Sequence, residues 1–221
     1  SRMKNLHDCP VDWAIRSLGG NTSSFSTGLG TILHAAMEEV PDGNIAALTA
    51  IVESRWPELE FEADWIAEKE KKWAATLIER LAAYEKNFRK NEGQRVEAEA
   101  EFEVVVPFSA TSPADVYVRG DDAPALPAAV VRGSIDRVER YPAKLGEALP
   151  FDSEREGQDR VVIVDLKTGK SEKRVSNDKV TEDPQLAAYQ LAVRAGAVNN
   201  VAPDEGAGAR LVVISQTLKD T

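Results

Sequence analysis

Residues 160–169 read RVVIVDLKTG, and this stretch determines the fold that we expect. Four consecutive apolar residues, Val161 to Val164, predict a strand that is covered on both faces, as a central strand of a sheet is. Side chains two residues apart on a strand share a face, so Asp165 and Lys167 project together from the end of this strand. The sequence therefore predicts an interior strand that ends in two charged groups.

Three further strands are expected around it. Residues 96–106 alternate apolar side chains with the glutamates from Glu97 to Glu103, a period of two that predicts a strand with one solvated face. Among these glutamates, Glu101 is considered as a neighbour of the metal site described below, and it is not assigned to that site. The other strands are predicted at 129–140 and 209–216, and the polar insertions 107–127 and 141–159 are predicted to be surface loops.

Helices are predicted before and after these strands. Pro10 and the pair Gly19-Gly20 are typical start and stop signals, and Asp183-Pro184 supplies a cap and a first-turn residue for a later helix. The predicted helices run over 10–18, 28–40, 46–55, 63–90 and 184–194. We therefore expect an α+β fold in one domain over 1–221, with a mainly helical part (1–90) followed by a mixed sheet flanked by helices (91–221).

Composition excludes several classes of protein. The 221 residues are 43% hydrophobic and 29% charged, which excludes a disordered chain. No apolar run approaches the roughly 18 residues of a membrane span, and the first residues lead into no signal region, so a cytoplasmic protein without a membrane partner is expected. Cys9 is the single cysteine, which excludes an internal disulfide. The chain has only two histidines, His7 and His34, so a tetrahedral Cys/His zinc site is excluded as well.

The net charge also limits the partners. With 27 basic and 37 acidic residues the formal charge is -10, so bulk attraction to a phosphate backbone is absent. Nucleic-acid binding then requires a local basic groove, a bound cation or a partner that delivers the strand. Gly169-Lys170-Ser171 resembles the end of a P-loop, but the earlier glycine would fall at Val164, so no nucleotide-binding residue is assigned.

Asp136, in the stretch GSID at 133–136, joins Asp165 and Lys167 as a charge on an otherwise apolar strand. A buried charge costs several kcal/mol unless it has a partner, a metal or a solvent-filled cleft. One interpretation is a structural ion pair at a strand end. The other is a divalent-metal site, since carboxylates hold Mg²⁺ and an adjacent ammonium can position water or offset charge on a phosphate.

This pattern of Asp136 followed by Asp165-Leu166-Lys167 resembles the core of the PD-(D/E)XK nuclease superfamily. The stretch GTILH at 30–34 and the stretch QLAAY at 185–189 resemble the flanking motifs of its RecB-type branch. The four motifs occur in the order of that branch, and the resemblance covers nearly the whole chain. It is closest to the C-terminal nuclease domain of bacterial helicase-nucleases of the RecB, AddAB and AdnAB kind.

The resemblance assigns roles to individual residues. It implies that Asp136, Asp165 and Lys167 are catalytic, and that Mg²⁺ or Mn²⁺ is held by His34, Asp136, Asp165 and the backbone carbonyl of Leu166. Gln185 and Tyr189, four residues apart on one helix face, would contact DNA. Some relatives bind an iron–sulfur cluster through four cysteines, and the three expected near the C-terminus are missing, so no cluster is expected within this chain.

The resemblance implies a Mg²⁺-dependent deoxyribonuclease of the exonuclease type that processes single-stranded DNA ends in double-strand-break repair and recombination. Its partners would be DNA, an ATP-dependent helicase motor in the same full-length chain, and a sister subunit. One alternative is a non-catalytic DNA-binding or assembly module that keeps the nuclease fold. A restriction-type or RNA-directed nuclease is a further alternative, which His34 and the pair Gln185 and Tyr189 disfavour.

Overall fold

The computed structural model describes residues 6, 9–17, 25–59, 61, 63–120, 127–142, 159–169 and 182–215. Its α-helices are close to the predicted ones: α1 (Pro10–Ser17), α2 (Phe25–Glu39), α3 (Ile45–Arg55), α4 (Asp64–Lys90) and α5 (Pro184–Arg194). Two helix starts follow from capping, because the side chains of Asn44 and Asp183 accept backbone N–H groups at the beginning of α3 and α5. No helix in this described part is long and apolar enough to cross a membrane.

The strands form one sheet of five members. They are β1 (Gln94–Pro107), β2 (Tyr117–Val118), β3 (Ala128–Tyr141), β4 (Arg160–Lys167) and β5 (Gly206–Val213), in the spatial order β2-β1-β3-β4-β5. All neighbours are antiparallel except β4 and β5, which are parallel and connected through α5. The predicted α+β class and mixed sheet are confirmed, and β4 is an interior strand as its apolar run predicted.

Two details of the strand prediction were wrong. The last strand ends at Val213 and not at residue 216, because β5 pairs in parallel with β4 and its final partner is Lys167 at the end of that strand. Residue 216 itself lies outside the described residues. The loop predicted at 107–127 contains the edge strand β2, whose two residues are too few to give a periodic signal. Of the second predicted loop, residues 143–158 lie outside the described part.

Two hydrophobic cores cover the sheet. One lies among α2, α3 and α4, and reaches the sheet at Leu166 of β4 and at Ile214. The other lies between α5 and the strands β1, β3 and β4, where Leu186 and Tyr189 pack with Val161 and Ile163. Because Val161 and Ile163 belong to the second core, alternation along β4 places Asp165 and Lys167 on the side of α5.

A buried group of charges ties α4 to the sheet. Arg137 of β3 forms a bidentate pair with Glu85 of α4, and its Nε lies 2.8 Å from Glu139. Glu139 also pairs with Arg210 of β5 and accepts the hydroxyl of Tyr84 at 2.6 Å. The two carboxylates and two guanidinium groups balance in charge, as burial in a low dielectric requires.

Candidate active site

The predicted catalytic carboxylates lie at the open end of the ladder between β3 and β4. Arg137 pairs with Val164, so the next residues along the two antiparallel strands, Asp136 and Asp165, are neighbours. The ladder hydrogen bonds stop there, and the backbone N–H of Leu166 instead donates to Oδ2 of Asp136 at 2.7 Å. Two residues that are 29 positions apart in sequence (165 minus 136) are thereby brought to one edge of the sheet.

The carboxylate of Asp136 is ionised in an unfavourable environment, because it is buried near other carboxylates. Its side chain is 13% exposed. Burial raises its pKa to about 6, and the neighbouring carboxylates Asp165 and Glu99 add to the rise, while His34 and the hydrogen bond from Leu166 oppose it. A carboxylate with this surplus of negative neighbours gains from any positive charge that enters the site.

Asp165 is 1% exposed, and its Oδ2 lies 2.6 Å from Nζ of Lys167 on the same face of β4. Burial raises the pKa of Asp165, and the ammonium of Lys167 opposes that rise. The expectation that these two side chains project together is met by this contact. The pair offers an acceptor and a donor side by side at the strand end.

His34 reaches the site from α2. Its Nδ1 lies 3.6 Å from Oδ2 of Asp136. Gly30, one turn earlier, packs closely on the strand end, because a Cβ at that position would lie 2.8 Å from Oγ1 of Thr168 just beyond β4. The glycine and histidine of the GTILH stretch therefore act together, the first allowing close packing on the strand end and the second presenting an imidazole there.

Gln185 and Tyr189 lie on α5 and continue the contacts of Lys167. Nζ of Lys167 donates to Oε1 of Gln185 at 3.3 Å, and Nε2 of Gln185 donates to the hydroxyl of Tyr189 at 2.6 Å. Tyr189 is 5% exposed, and its ring meets Phe102 edge to face. These contacts orient the lysine. The predicted DNA contacts of Gln185 and Tyr189, and the predicted metal contact of the Leu166 carbonyl, stay predictions.

Sequence reasoning missed Glu99. The alternating pattern predicts that it lies in a solvated strand face with Glu97, Glu101 and Glu103, but the structure brings one donor atom each of His34, Glu99 and Asp136 within 4.8 Å of one another. The pairings of Ala98 and Ala100 with residues 137 and 135 of β3 put Glu99 directly opposite Asp136. No periodicity marks this residue, since all four glutamates share the same spacing. The only available signal was adjacency to the strand of Asp136.

The residues at this edge fit a hard divalent cation. Three carboxylates, from Glu99, Asp136 and Asp165, lie at this edge, and one ammonium, from Lys167, contacts Asp165, which leaves two negative charges in excess when all are ionised and His34 is neutral. Carboxylate oxygens and an imidazole nitrogen are suitable donors for Mg²⁺ or Mn²⁺. Of the predicted ligands, His34 and Asp136 belong to the cluster with Glu99, whereas Asp165 lies beside Asp136 in the strand register and outside that cluster.

Two comparisons with known proteins bear on the chain. A search of curated proteins gave no match. A family model described as the PD-(D/E)XK nuclease superfamily matches residues 1–220. That match spans all of the elements that hold Asp136, Asp165 and Lys167. The chain belongs to the PD-(D/E)XK nuclease superfamily.

Proposed function

We propose that this chain is a Mg²⁺-dependent DNA nuclease domain that hydrolyses phosphodiester bonds at DNA ends. The superfamily supports a nuclease, its members usually use divalent metals, and its fold implies DNA as the substrate. The observation that carries the proposal is the meeting of Asp136, Asp165 and Lys167 at one open sheet edge, with His34 beside them.

His34, Asp136, Asp165 and the carbonyl of Leu166 would hold the cation. When bound, it would supply Lewis-acid stabilisation of a phosphate oxygen and a more acidic water. The protein prepares for it by keeping buried carboxylates close together, at the cost of raised pKa values for Asp136 and Asp165. Hydrogen bonding from Leu166 fixes the orientation of the Asp136 carboxylate before any ligand arrives.

Lys167 would act on the substrate itself. Its ammonium is held between Asp165 and Gln185, and its side chain is partly exposed at the strand end. From this position it can donate to a water or to a phosphate oxygen that gains negative charge during hydrolysis. Gln185, fixed in turn by Tyr189, limits the directions that the ammonium can take.

Cleavage assays test the proposal directly. Wild-type chain is incubated with labelled single-stranded and duplex DNA, with Mg²⁺ or with a chelator. We expect Mg²⁺-dependent cleavage that is abolished in Asp136→Ala and in Asp165→Ala, while an exposed control, Asp204→Ala, retains it. Circular dichroism checks that each variant is folded. Activity that persists in either site variant, once contaminating nuclease is excluded, contradicts the site.

The ion pair of Asp165 and Lys167 favours a second candidate, a non-catalytic module in which the pair is only structural. The Lys167→Ala variant separates the two functions. A catalytic lysine leaves cation affinity in place when it is removed and takes turnover away. If the pair is only structural, removal of the lysine disturbs Asp165, and cation affinity is lost along with any turnover.

We further propose that the domain works beside an ATP-dependent helicase motor in double-strand-break repair, in the cytoplasm. The order of the RecB-type motifs supports this role, and so does the net charge of -10, which calls for delivery of DNA by a partner. Fusion or addition of the cognate motor should increase cleavage of duplex ends in the presence of ATP. An isolated domain that already cuts duplex ends at the same rate would contradict dependence on a motor.

A further inference from the structure

Glu99 occupies an unusual position for a strand residue. It lies within β1 with a φ of 48°, in the left-handed region that residues with a side chain seldom adopt. The pairs that flank it directly, Ala98 with Arg137 and Ala100 with Ile135, keep one register, and a bulge lies close by between Arg95 and Glu97. Such local strain persists where the surrounding structure holds it, and it is concentrated at functional sites.

The contacts of Glu99 point its carboxylate at the cluster. Oε1 lies 3.8 Å from Nδ1 of His34, and Oε2 accepts the hydroxyl of Ser134 at 2.9 Å. Nδ1 of His34 is in turn 3.6 Å from Oδ2 of Asp136. A cation of 2.0–2.6 Å bond lengths placed among three donors needs donor separations of about this size.

The two aspartates differ in how much positive charge they already have. Asp165 has the ammonium of Lys167 at 2.6 Å. Asp136 has a backbone N–H and an imidazole, and it faces Glu99 across the β1–β3 pair. The excess negative charge therefore lies on the side of Glu99, His34 and Asp136.

We propose that Glu99 is an additional ligand of the divalent cation, and that it completes a binding position with His34 and Asp136. This inference rests on the proposed function, because it concerns the same cation. It adds a carboxylate from β1 to the residues that the four sequence motifs supply. The side chain is 43% exposed, which leaves it open to the cation and to solvent.

Direct Mn²⁺ binding without DNA tests the inference. Electron paramagnetic resonance of free Mn²⁺ is measured in titrations of wild type, Glu99→Gln, Asp136→Asn and the control Glu101→Gln. Glu101 is an exposed carboxylate two residues along the same strand, outside the cluster. Removal of even an outer partner of a metal site costs 10- to 100-fold in affinity, so we expect Glu99→Gln to weaken binding at least about tenfold and Glu101→Gln to leave it unchanged.

Two further measurements locate the effect. Electron spin echo modulation from an imidazole nitrogen should be present on Mn²⁺ bound to wild type, which places the ion at His34. The second variant is Glu99→Gly, because glycine adopts a positive φ without strain. We expect its midpoint of urea unfolding to be no lower than that of wild type, and its Mn²⁺ affinity to be lower. Loss of affinity in that variant then reports a ligand and not a damaged fold.

The possible failures are distinct. If Glu99→Gln binds Mn²⁺ as tightly as Glu101→Gln while Asp136→Asn loses binding, the inference about Glu99 is overturned and the proposed function stands. If the wild type itself binds no Mn²⁺ and cuts no DNA with it, the proposed function fails, and the inference fails with it.

Discussion

Replacing Asp136 by asparagine should stabilise the metal-free protein at neutral pH. The asparagine keeps an oxygen that can accept the N–H of Leu166 and removes the charge that burial and the carboxylates of Asp165 and Glu99 oppose. A site arranged for an external cation carries this cost whenever the cation is missing.

The size of the effect follows from the pKa. Folding raises the pKa of Asp136 from its ordinary 3.8 to about 6. A rise of about two pH units corresponds to about 3 kcal/mol at ~1.4 kcal/mol per unit. Because the folded pKa is the higher one, the stability from this group is fully present below pH 3.8 and is lost as the pH rises through 6. The variant does not titrate there, so its advantage should grow over that window and level off above it.

Urea unfolding at several pH values between 4 and 8, with a chelator present, measures this difference. We expect Asp136→Asn to exceed wild type by about 1–3 kcal/mol at pH 7.5 and by little at pH 4. Glu101→Gln, an exposed carboxylate on β1, serves as the control and should show no such trend. Saturating Mg²⁺ should narrow or reverse this difference in the free energy of unfolding, since only wild type keeps the Asp136 carboxylate that binds the cation. A variant that is less stable than wild type at pH 7.5, or a pH-independent difference, refutes the reasoning.

Three further outcomes are expected. Lys167→Ala should keep its Mn²⁺ affinity in calorimetry and lose at least about 100-fold in single-turnover cleavage, whereas loss of both would indicate a structural pair with Asp165. Arg137→Ala should lower the free energy of unfolding in urea by about 3–5 kcal/mol, because Glu85 is left buried without its bidentate partner and Glu139 loses one of its two guanidinium partners; a change below 1 kcal/mol would contradict a buried network. The inactive Asp165→Ala variant should bind DNA weakly, with a shallow salt dependence and a preference for single strands, and tight duplex binding with a steep dependence would favour an autonomous duplex-binding protein.

The elements of this fold were predictable where local chemistry decides them. The Asp183-Pro184 cap and start of α5, and the apolar run of β4, act within a few residues, and the structure has α5 at the predicted bounds and β4 over the predicted apolar run. The end of β5 was not predictable in the same way, since it depends on where β4 stops in a parallel pair. β2 forms because two residues meet the edge of β1, which leaves no pattern in the sequence.

The site divides in the same way. Asp136, Asp165 and Lys167 stood out in the sequence because charges on apolar strands require a reason, and the structure brings them together. Glu99 carried no such signal, because a glutamate among alternating glutamates is typical of a solvated strand face. Its backbone conformation and its pairing opposite Asp136 are properties of the folded sheet.

The two clusters of charge on β3 differ in a way that favours the site at Asp136, and not the neighbouring network, as the functional one. Around Arg137, two carboxylates meet two guanidinium groups, so the charge is balanced within the protein and needs no ligand. One residue earlier on the strand, Asp136 lies among carboxylates that a single ammonium cannot balance, and its pKa rises to about 6. Both arrangements cost desolvation, but only the first recovers that cost from its own partners. The uncompensated charge is retained beside an open sheet edge, where a cation can enter, and this asymmetry is what a metal-dependent site requires of its protein.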